Sequence, residues 1–332
     1  LHIHPEYLRL AAFELLEEAG CHYRLYSPVT DVVLEGATVR AVVVTGKDGQ
    51  MTFSARVTVD ATGDGDVAYY AGTDMVLGGE DGERLMPVSL VFAVANVDVE
   101  RALAFNRDYS FQEGYPPEFQ AIFEQARAEG YCVSDWYAFD RTTIPSVLSV
   151  NNGGLSGIGN VDGTRVRDLT YAERSGLQVA IDFVKIAKKY QIPGLEDCYL
   201  MRTGAAVAVR ETRRILGKYV YTIEDARNGT EFEDVIARKY GAVDSTYVMA
   251  PIVSGCAYPY RCLLPKPVDN LLVAGRCGSA THLGLAAGKS MGNMMEIGQA
   301  AGMAAALCST SDTTPRELEV KEVQTALRSM GV

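Results

Sequence analysis

Residues 270–308 read NLLVAGRCGSATHLGLAAGKSMGNMMEIGQAAGMAAALC and carry the strongest structural signal in the chain. The apolar run from Asn270 to Ala274 predicts a buried strand that ends in a Gly275-Arg276 turn. After a loop of small and polar residues, the stretch GQAAG at 298–302 predicts the first turn of a glycine- and alanine-rich helix. Because the N–H groups of a first turn are free and positive, this order suits an anionic ligand. A helix packed tightly in a core is the alternative interpretation.

A second strand-to-helix signal is the stretch DATGDGD at residues 60–66. Helical spacing over 7–16, with a stop at Gly20, precedes three alternating runs at 29–34, 39–45 and 51–59. These runs predict a small antiparallel meander whose last strand ends in the DATGDGD turn. Capped turns of this kind are common in α/β folds, so the motif alone leaves its function open.

The middle of the chain predicts a second, mixed region. It contains a strand at 88–94, a polar helix at 117–129, and a long amphipathic helix at 170–190 that is capped by Thr170 and ends before Pro193. Four glycines do not form the spacing G-x-G-x-x-G and are interpreted as a flexible loop: Gly153, Gly154, Gly157 and Gly159.

A charged cluster lies at 210–214, ahead of a strand-like stretch at 219–222. Its members are Arg210, Glu211, Arg213 and Arg214. Clusters of this type are usually ion-paired surface or interdomain structure. A role facing substrate or cofactor for Arg210 or Glu211 is the alternative.

Composition narrows the class of protein. The 332 residues include 42 acidic and 31 basic side chains, giving a formal charge of -11 that disfavours nucleic acid and anionic membrane surfaces. The seven cysteines are odd in number and form no C-x-x-C pair, which favours reduced thiols in a cytoplasmic protein and no metal site. The most apolar stretch, 270–308, is interrupted by charged residues, so no membrane span is predicted.

Taken in order, the motifs resemble the FAD-dependent oxidoreductase family, which is related to the succinate dehydrogenase flavoprotein and glutathione reductase-like superfamily. The resemblance spans residues 3–308. It rests on LLEEAG, DATGDGD, DLTYAE, PGLEDCYL, VRETRRILGKYVYT, EDARNG, YPYRCLLP, NLLVAGRCGSATH and GQAAGMAAA.

The resemblance implies a mixed α/β (α+β) fold. A partial Rossmann-like FAD-binding domain with an antiparallel meander is expected at 1–85 and 260–332, and a mixed substrate or cap domain at 86–259. Family members open with a G-x-G-x-x-G unit that holds the ADP half of FAD. The sequence has no such unit, so we expect a fragment, a truncated gene product or one half of a split protein, with a member that has lost FAD as the alternative.

The implied function is hydride transfer between a small-molecule substrate and flavin N5, with FAD as cofactor. A flavin-free fragment or non-catalytic subunit is the alternative, whereas a β-rich carbohydrate-binding module is disfavoured by the Gly/Ala-rich helices. The expected partner is a small-molecule substrate, without nucleic acid or membrane. A homo-oligomer and a partner that carries the missing N-terminal segment both stay open.

The resemblance also implies cofactor-binding residues. Thr62 and Gly63 would lie near the adenosine, with Asp64 beside them, and Gly275, Arg276 and Cys277 would meet the ribityl and pyrophosphate region. The pyrimidine edge of the flavin would contact Gly298, Gln299 and Ala300.

The loop at 277–289 would border flavin and substrate, and its His282 is the first candidate for a proton-transfer or orienting role. Further candidates are Arg261, Tyr258 and Tyr260. A histidine that is only hydrogen-bonded structure is equally compatible with the pattern. Family members often carry an arginine after this loop, where the sequence has Lys289-Ser290-Met291.

Overall fold

The computed structural model describes residues 3–79, 85–106, 116–155, 161–245, 249–252 and 254–331. Their helices are α1 Pro5–Glu18, α2 Asp66–Tyr70, α3 Val99–Asn106, α4 Pro117–Ala128, α5 Val166–Lys189, α6 Ile223–Asn228, α7 His282–Ala286, α8 Met291–Ser311 and α9 Val320–Ser329. Their first strands are β1 Val29–Glu35, β2 Thr38–Gly46, β3 Gly49–Ser54, β4 Thr58–Asp60, β5 Met75–Leu77, β6 Phe92–Ala95, β7 Ser134–Arg141 and β8 Val147–Leu155. The remaining strands are β9 Tyr199–Thr203, β10 Arg213–Ile215, β11 Val235–Lys239, β12 Ala242–Asp244, β13 Met249–Pro251, β14 Cys256–Pro259 and β15 Leu271–Val273. The predicted mixture of helices and sheets is confirmed.

The chain forms two compact units. Unit 1 comprises Leu1–Arg24 and Pro87–Arg210, and unit 2 comprises Leu25–Met86 and Glu211–Val332. The sequence prediction instead placed residues 1–85 and 260–332 in one domain and residues 86–259 in the other. The assignment of a cofactor-binding and a substrate-binding role to these units stays a prediction.

Unit 1 is built on a four-stranded antiparallel sheet in the order β7-β8-β6-β9. Helix α5 contributes buried residues at helical spacing, among them Val179, Phe183 and Ile186. Phe183 packs against Phe92 and Tyr137 at ring-centroid distances of 5.2 and 5.1 Å. Large side chains therefore fill the layer between one face of the sheet and α5.

Several elements of unit 1 differ from the predicted bounds. Helix α5 begins at Val166, and Thr170 lies in its first turns, where its hydroxyl donates to the carbonyl of Val166 at 2.7 Å instead of capping the helix. The strand predicted at 88–94 is shortened to β6. Two of the supposed loop glycines, Gly153 and Gly154, lie in β8, while Gly157 and Gly159 lie outside the described residues.

In unit 2, β1, β2 and β3 form the predicted antiparallel meander. The prediction that its last strand runs into DATGDGD is wrong. The run at 51–59 is divided by a break at 55–57, and its second part, β4, pairs in parallel with β15 instead. A break between two apolar stretches lets the chain leave one sheet and enter another, which alternation alone does not reveal.

The β4–β15 pair brings two distant turns together. Leu271, Leu272 and Val273 pair with residues 58–60, so both strands end at the same edge. The side chain of Asn270 fixes the beginning of β15, because its amide donates to the carbonyls of Val39 and Arg56 at 2.8 and 2.9 Å. Since parallel strands point the same way, the turns that follow β4 and β15 lie side by side.

Candidate functional site

Asp60 organises the turn that follows β4. Its buried carboxylate accepts hydrogen bonds from the backbone N–H and hydroxyl of Thr62, at 3.0 and 2.8 Å, and from the N–H of Ala68 at 2.9 Å. The Thr62 hydroxyl in turn accepts from the N–H of Asp66 at 2.9 Å. Thr62, predicted as a cofactor-binding residue, thus has its hydroxyl engaged in fixing the turn and the start of α2.

An ion pair joins this turn to the one after β15. Both terminal nitrogens of Arg276 donate to one oxygen of Asp64, at 2.9 and 2.8 Å, and one also donates to the carbonyl of Gly63 at 3.0 Å. Thr212 donates to the same Asp64 oxygen at 2.6 Å. Gly63 has φ +84°, a conformation that favours glycine, and a Cβ there would crowd the guanidinium of Arg276 at 3.0 Å. The structure therefore brings predicted residues of both turns together.

A second arginine supports the same edge. Arg213 forms an ion pair with Asp66 and donates to the carbonyl of Asp64 at 2.9 Å, while its guanidinium lies 4.2 Å from the centroid of the Tyr69 ring. Burial raises the pKa of the Asp66 carboxyl, and the positive charge of Arg213 opposes that shift. The cluster noted at 210–214 thus supplies structural partners to the DATGDGD turn.

His282 lies in a buried charged cluster. Its Nδ1 is 2.8 and 3.0 Å from the two carboxylate oxygens of Glu211, which also pairs with Arg214 and accepts the N–H of Met86 at 3.0 Å. The exposed fractions of Glu211, Arg214 and His282 are 1%, 0% and 2%. Because a carboxylate only accepts, Nδ1 donates, and in the neutral ring Nε2 is then the acceptor.

The start of α7 places His282 there. Thr281 caps the helix by accepting the N–H of Gly284 at 3.0 Å, and its own N–H donates to the carbonyl of Tyr221 at 2.9 Å. A Cβ at Gly284 would lie 2.1 Å from that carbonyl oxygen. Only glycine permits the helix to begin this close to the neighbouring chain.

Lys239 is a buried cation that the sequence reasoning missed. Its Nζ donates to the carbonyl of Gly284 at 3.1 Å and lies 4.7 and 5.6 Å from the ring centroids of Tyr221 and Tyr258. Burial lowers the pKa of Lys239 to about 7. Its position two residues after buried Ala237 in β11, on the inward side of an alternating strand, was the available signal.

The further candidates from the sequence, Tyr258, Tyr260 and Arg261, do not lie together in the structure. Tyr258 is buried beside Lys239, and burial raises the pKa of its hydroxyl well above the usual value. Arg261 instead pairs with Asp234 at 2.9 Å and remains half exposed. Tyr260 donates to the carbonyl of Pro315 at 2.8 Å. Only Tyr258 therefore lies in the cluster that contacts the start of α7.

The GQAAG stretch is not a helix start. Helix α8 begins at Met291 after Ser290, so Gly298 lies two turns into it. Gly298 and Gln299 are exposed, whereas Ala300 and Cys277 are fully buried in the core of the unit. The free N–H groups of α8 belong to its actual first turn, at 291–293.

Two kinds of feature are absent from the described ranges. None of the helices resolved there combines the length and apolar character needed to cross a membrane. No group of three or more His, Cys, Asp or Glu side chains in the same ranges is arranged to hold a metal ion.

Comparison with solved structures finds several proteins of low sequence identity. A geranylgeranyl bacteriochlorophyll reductase-like protein from Thermoplasma acidophilum is 12% identical, with 96% of this chain and 57% of that chain covered and a TM-score of 0.42. The myxobacterial chondrochloren halogenase CndH is also 12% identical, with 93% and 52% covered and a TM-score of 0.43. The flavin-dependent brominase Bmp2 is 12% identical, with 94% and 56% covered and a TM-score of 0.39. The chain thus spans little more than half the length of these proteins.

No curated protein matches the chain. The sequence model of one family does match, and its description is FAD dependent oxidoreductase. The match runs over residues 2–327, nearly the whole chain, and includes the DATGDGD turn, the His282 loop and α8. The chain therefore belongs to the FAD-dependent oxidoreductase family, whose cofactor is FAD.

Proposed function

We propose that the chain functions in an oxidoreductase that passes a hydride between a small-molecule substrate and the N5 atom of FAD. The family match over residues 2–327 is the observation that carries the proposal. Bound FAD supplies the electron-carrying ring system that side chains lack. The substrate, the electron acceptor and the partners are proposals for the whole protein, because the similar solved structures are nearly twice as long as this chain.

The residues available in unit 2 fit such a cofactor. The first turn of α8 offers backbone N–H donors, which favour an anionic or strongly polar group. Gly275, at φ +87°, and Gly292 and Gly298 of α8 have nothing within 4 Å of the place where a side chain would begin. We propose that the cofactor contacts these open backbone positions and, at its pyrophosphate, the guanidinium of Arg276. The hydroxyl of Thr62 is engaged by Asp60 and by the N–H of Asp66, and the carboxylate of Asp64 balances Arg276.

For His282 we propose an orienting role. Its donor hydrogen bond to Glu211 fixes the ring and its tautomer, and its burial at 2% exposure favours a residue that shapes the 277–289 loop over one that meets substrate directly. Lys239, which lies over the Tyr258 ring, would hold the middle of α7 through the carbonyl of Gly284. Arg261, bound to Asp234, has no part in this arrangement.

The test begins with an absorbance spectrum of the chain after incubation with FAD and gel filtration. Retained bands at about 370 and 450 nm, the absorption of the oxidised flavin ring, would support the proposal. A colourless chain would favour the alternative of a flavin-free fragment or non-catalytic subunit, and would contradict FAD binding by this chain alone.

Replacing Arg276 by methionine is expected to weaken FAD binding by about 10- to 100-fold, the loss of one charged hydrogen bond. Asp64→Asn should leave affinity equal or higher, because it releases the guanidinium toward the pyrophosphate while keeping its charge. Arg56→Met, at an exposed arginine of the same unit, is the matched control. Equal losses in Arg276→Met and Asp64→Asn would show instead that the ion pair only stabilises the fold.

A further inference from the structure

Unit 1 contains a cavity of about 700 Å³. Residues 3–9 of α1 and its approach line one side, and the sheet face opposite α5 lines the other, through segments 91–93, 140–149 and 201–205. Pockets that bind small molecules have volumes of about 300–1,000 Å³. The cavity is therefore large enough to enclose a ligand of that kind, and every residue that lines it belongs to unit 1.

The floor of the cavity is made of small side chains in register. Ala93 of β6 lies opposite Ser149 of β8 on one side and Arg202 of β9 on the other. In the next row Ala95 lies between Val147 and Tyr199. This face of the sheet carries Ala93, Ala95 and Ser149, whereas the opposite face carries the larger Phe92 and Val94. The small side chains leave open space above this face.

The floor continues beyond the main cavity into a hollow that has both apolar residues and the polar residues Asn96 and Ser146 in its lining. A second hollow of about 360 Å³ shares Val147 and Met201 with the first and adds Ala95 and Tyr199. Its lining carries no charged side chain. An extended apolar body could thus lie along the strands from one hollow into the other.

The end of the cavity near α1 carries an excess of positive charge. Glu6 pairs with Arg9 at 2.7 Å and with Arg202 at 3.3 Å, so one carboxylate balances two guanidiniums. His4 lines the same end, and its buried Nδ1 has no hydrogen-bond partner among the described residues. A guanidinium presents paired donors that match a carboxylate. An anionic oxygen at this end would meet both features.

The opposite edge of the cavity, at β7, carries negative charge. Asp140 of β7 lies across from Ser149, three strands from Arg202 and hence about 14 Å away at ordinary strand spacing. Arg141 beside it is held by both oxygens of Glu100. A second negative group on the ligand would be repelled there, which favours one carboxylate over two.

We propose that this cavity binds a small monocarboxylic acid with an apolar body. Its carboxylate lies against Arg202, Arg9 and His4, and its body rests on Ala93, Ala95 and Val147. The proposal concerns unit 1 alone and does not depend on FAD binding in unit 2.

Octanoate is the probe, titrated into the full chain by calorimetry. We expect a dissociation constant of about 1 mM or tighter, with octan-1-ol, suberate and inorganic phosphate at least about tenfold weaker. If octan-1-ol bound as tightly as octanoate, the claim that the site recognises a carboxylate would be wrong. If phosphate bound equally well, the site would be a general anion site, and the claim that it recognises an apolar body would be wrong. No heat and no saturation transfer to the octanoate methyl at about 10 mM, well above the expected constant, would overturn the proposal entirely.

Two variants with opposite expected effects separate binding from folding. Arg202→Gln should weaken octanoate about tenfold or more, because it removes a charged donor, while Arg101→Gln, an exposed ion-paired arginine of the same unit outside the cavity, should not. Glu6→Gln should tighten binding, because it removes the carboxylate that competes for both guanidiniums. Equal behaviour of the two arginine variants, or no tightening in Glu6→Gln, would contradict the assignment.

Discussion

Glu211→Gln is expected to destabilise the chain by about 3–5 kcal/mol, the cost of breaking a buried ion pair from one side. The substitution keeps the size and a carbonyl acceptor but removes the negative charge. The guanidinium of Arg214, which is fully buried, then loses the carboxylate that balances it, and the imidazole of His282 loses its charged acceptor. Urea unfolding followed by circular dichroism measures the change.

An exposed ion pair of the same unit supplies the control. Glu231 pairs with Arg238 at 2.8 Å but is mostly exposed, so Glu231→Gln should leave the stability nearly unchanged. The double variant Glu211→Gln/Arg214→Met should recover part of the loss, since it removes both charges from the interior. A loss in Glu211→Gln no greater than in the control would show that the cluster is hydrated in solution and does not hold α7.

Lys239→Met is expected to raise stability at pH 7 by several kcal/mol and to remove a pH dependence. In the folded chain burial lowers the pKa of Lys239 from its ordinary value of 10.5 to about 7. Between these values the unfolded chain binds more protons than the folded one, so stability falls as the pH falls from 10.5 to 7 and changes no further below that. The full difference is roughly 5 kcal/mol by the linkage relation, as an upper bound.

The measurement compares unfolding at pH 7 and pH 9. Relative to Lys239→Met, the natural chain should gain about 2–3 kcal/mol between these two pH values. The folded-state thiols of Cys256 and Cys262 do not interfere, because burial raises the pKa of each. Lys47→Met, in the exposed turn between β2 and β3, should show no such change. A natural chain whose stability is as flat as that of Lys239→Met would contradict a lowered pKa.

Both substitutions remove contacts to the same short helix, α7, and to the residue pair that precedes it. Glu211 and Arg214 hold the beginning of α7 at His282 and Ala280, and Lys239 holds it at Gly284. If the 277–289 loop borders a flavin, as we propose, then weakening either contact should also alter FAD binding. Comparing FAD retention with unfolding free energy in the two variants would reveal such a link.

The sequence by itself determined the local elements and the family. Helix α4 and the meander of β1, β2 and β3 follow from apolar spacing and from turns at Gly36 and Gly49, because both signals act over a few residues. The motifs DATGDGD and GQAAG indicated the family, which the match over 2–327 confirms.

Only the tertiary structure decided which of these elements meet. Arg276 reaches Asp64 across 212 residues, and His282 reaches Glu211 across 71, because β4 leaves the meander to pair in parallel with β15 and α7 returns to the chain near Tyr221. Periodicity shows which face of an element is buried but not the element that covers it. For the same reason the burial of Lys239, and the row of small residues that opens the cavity in unit 1, became visible only when the strands were in register.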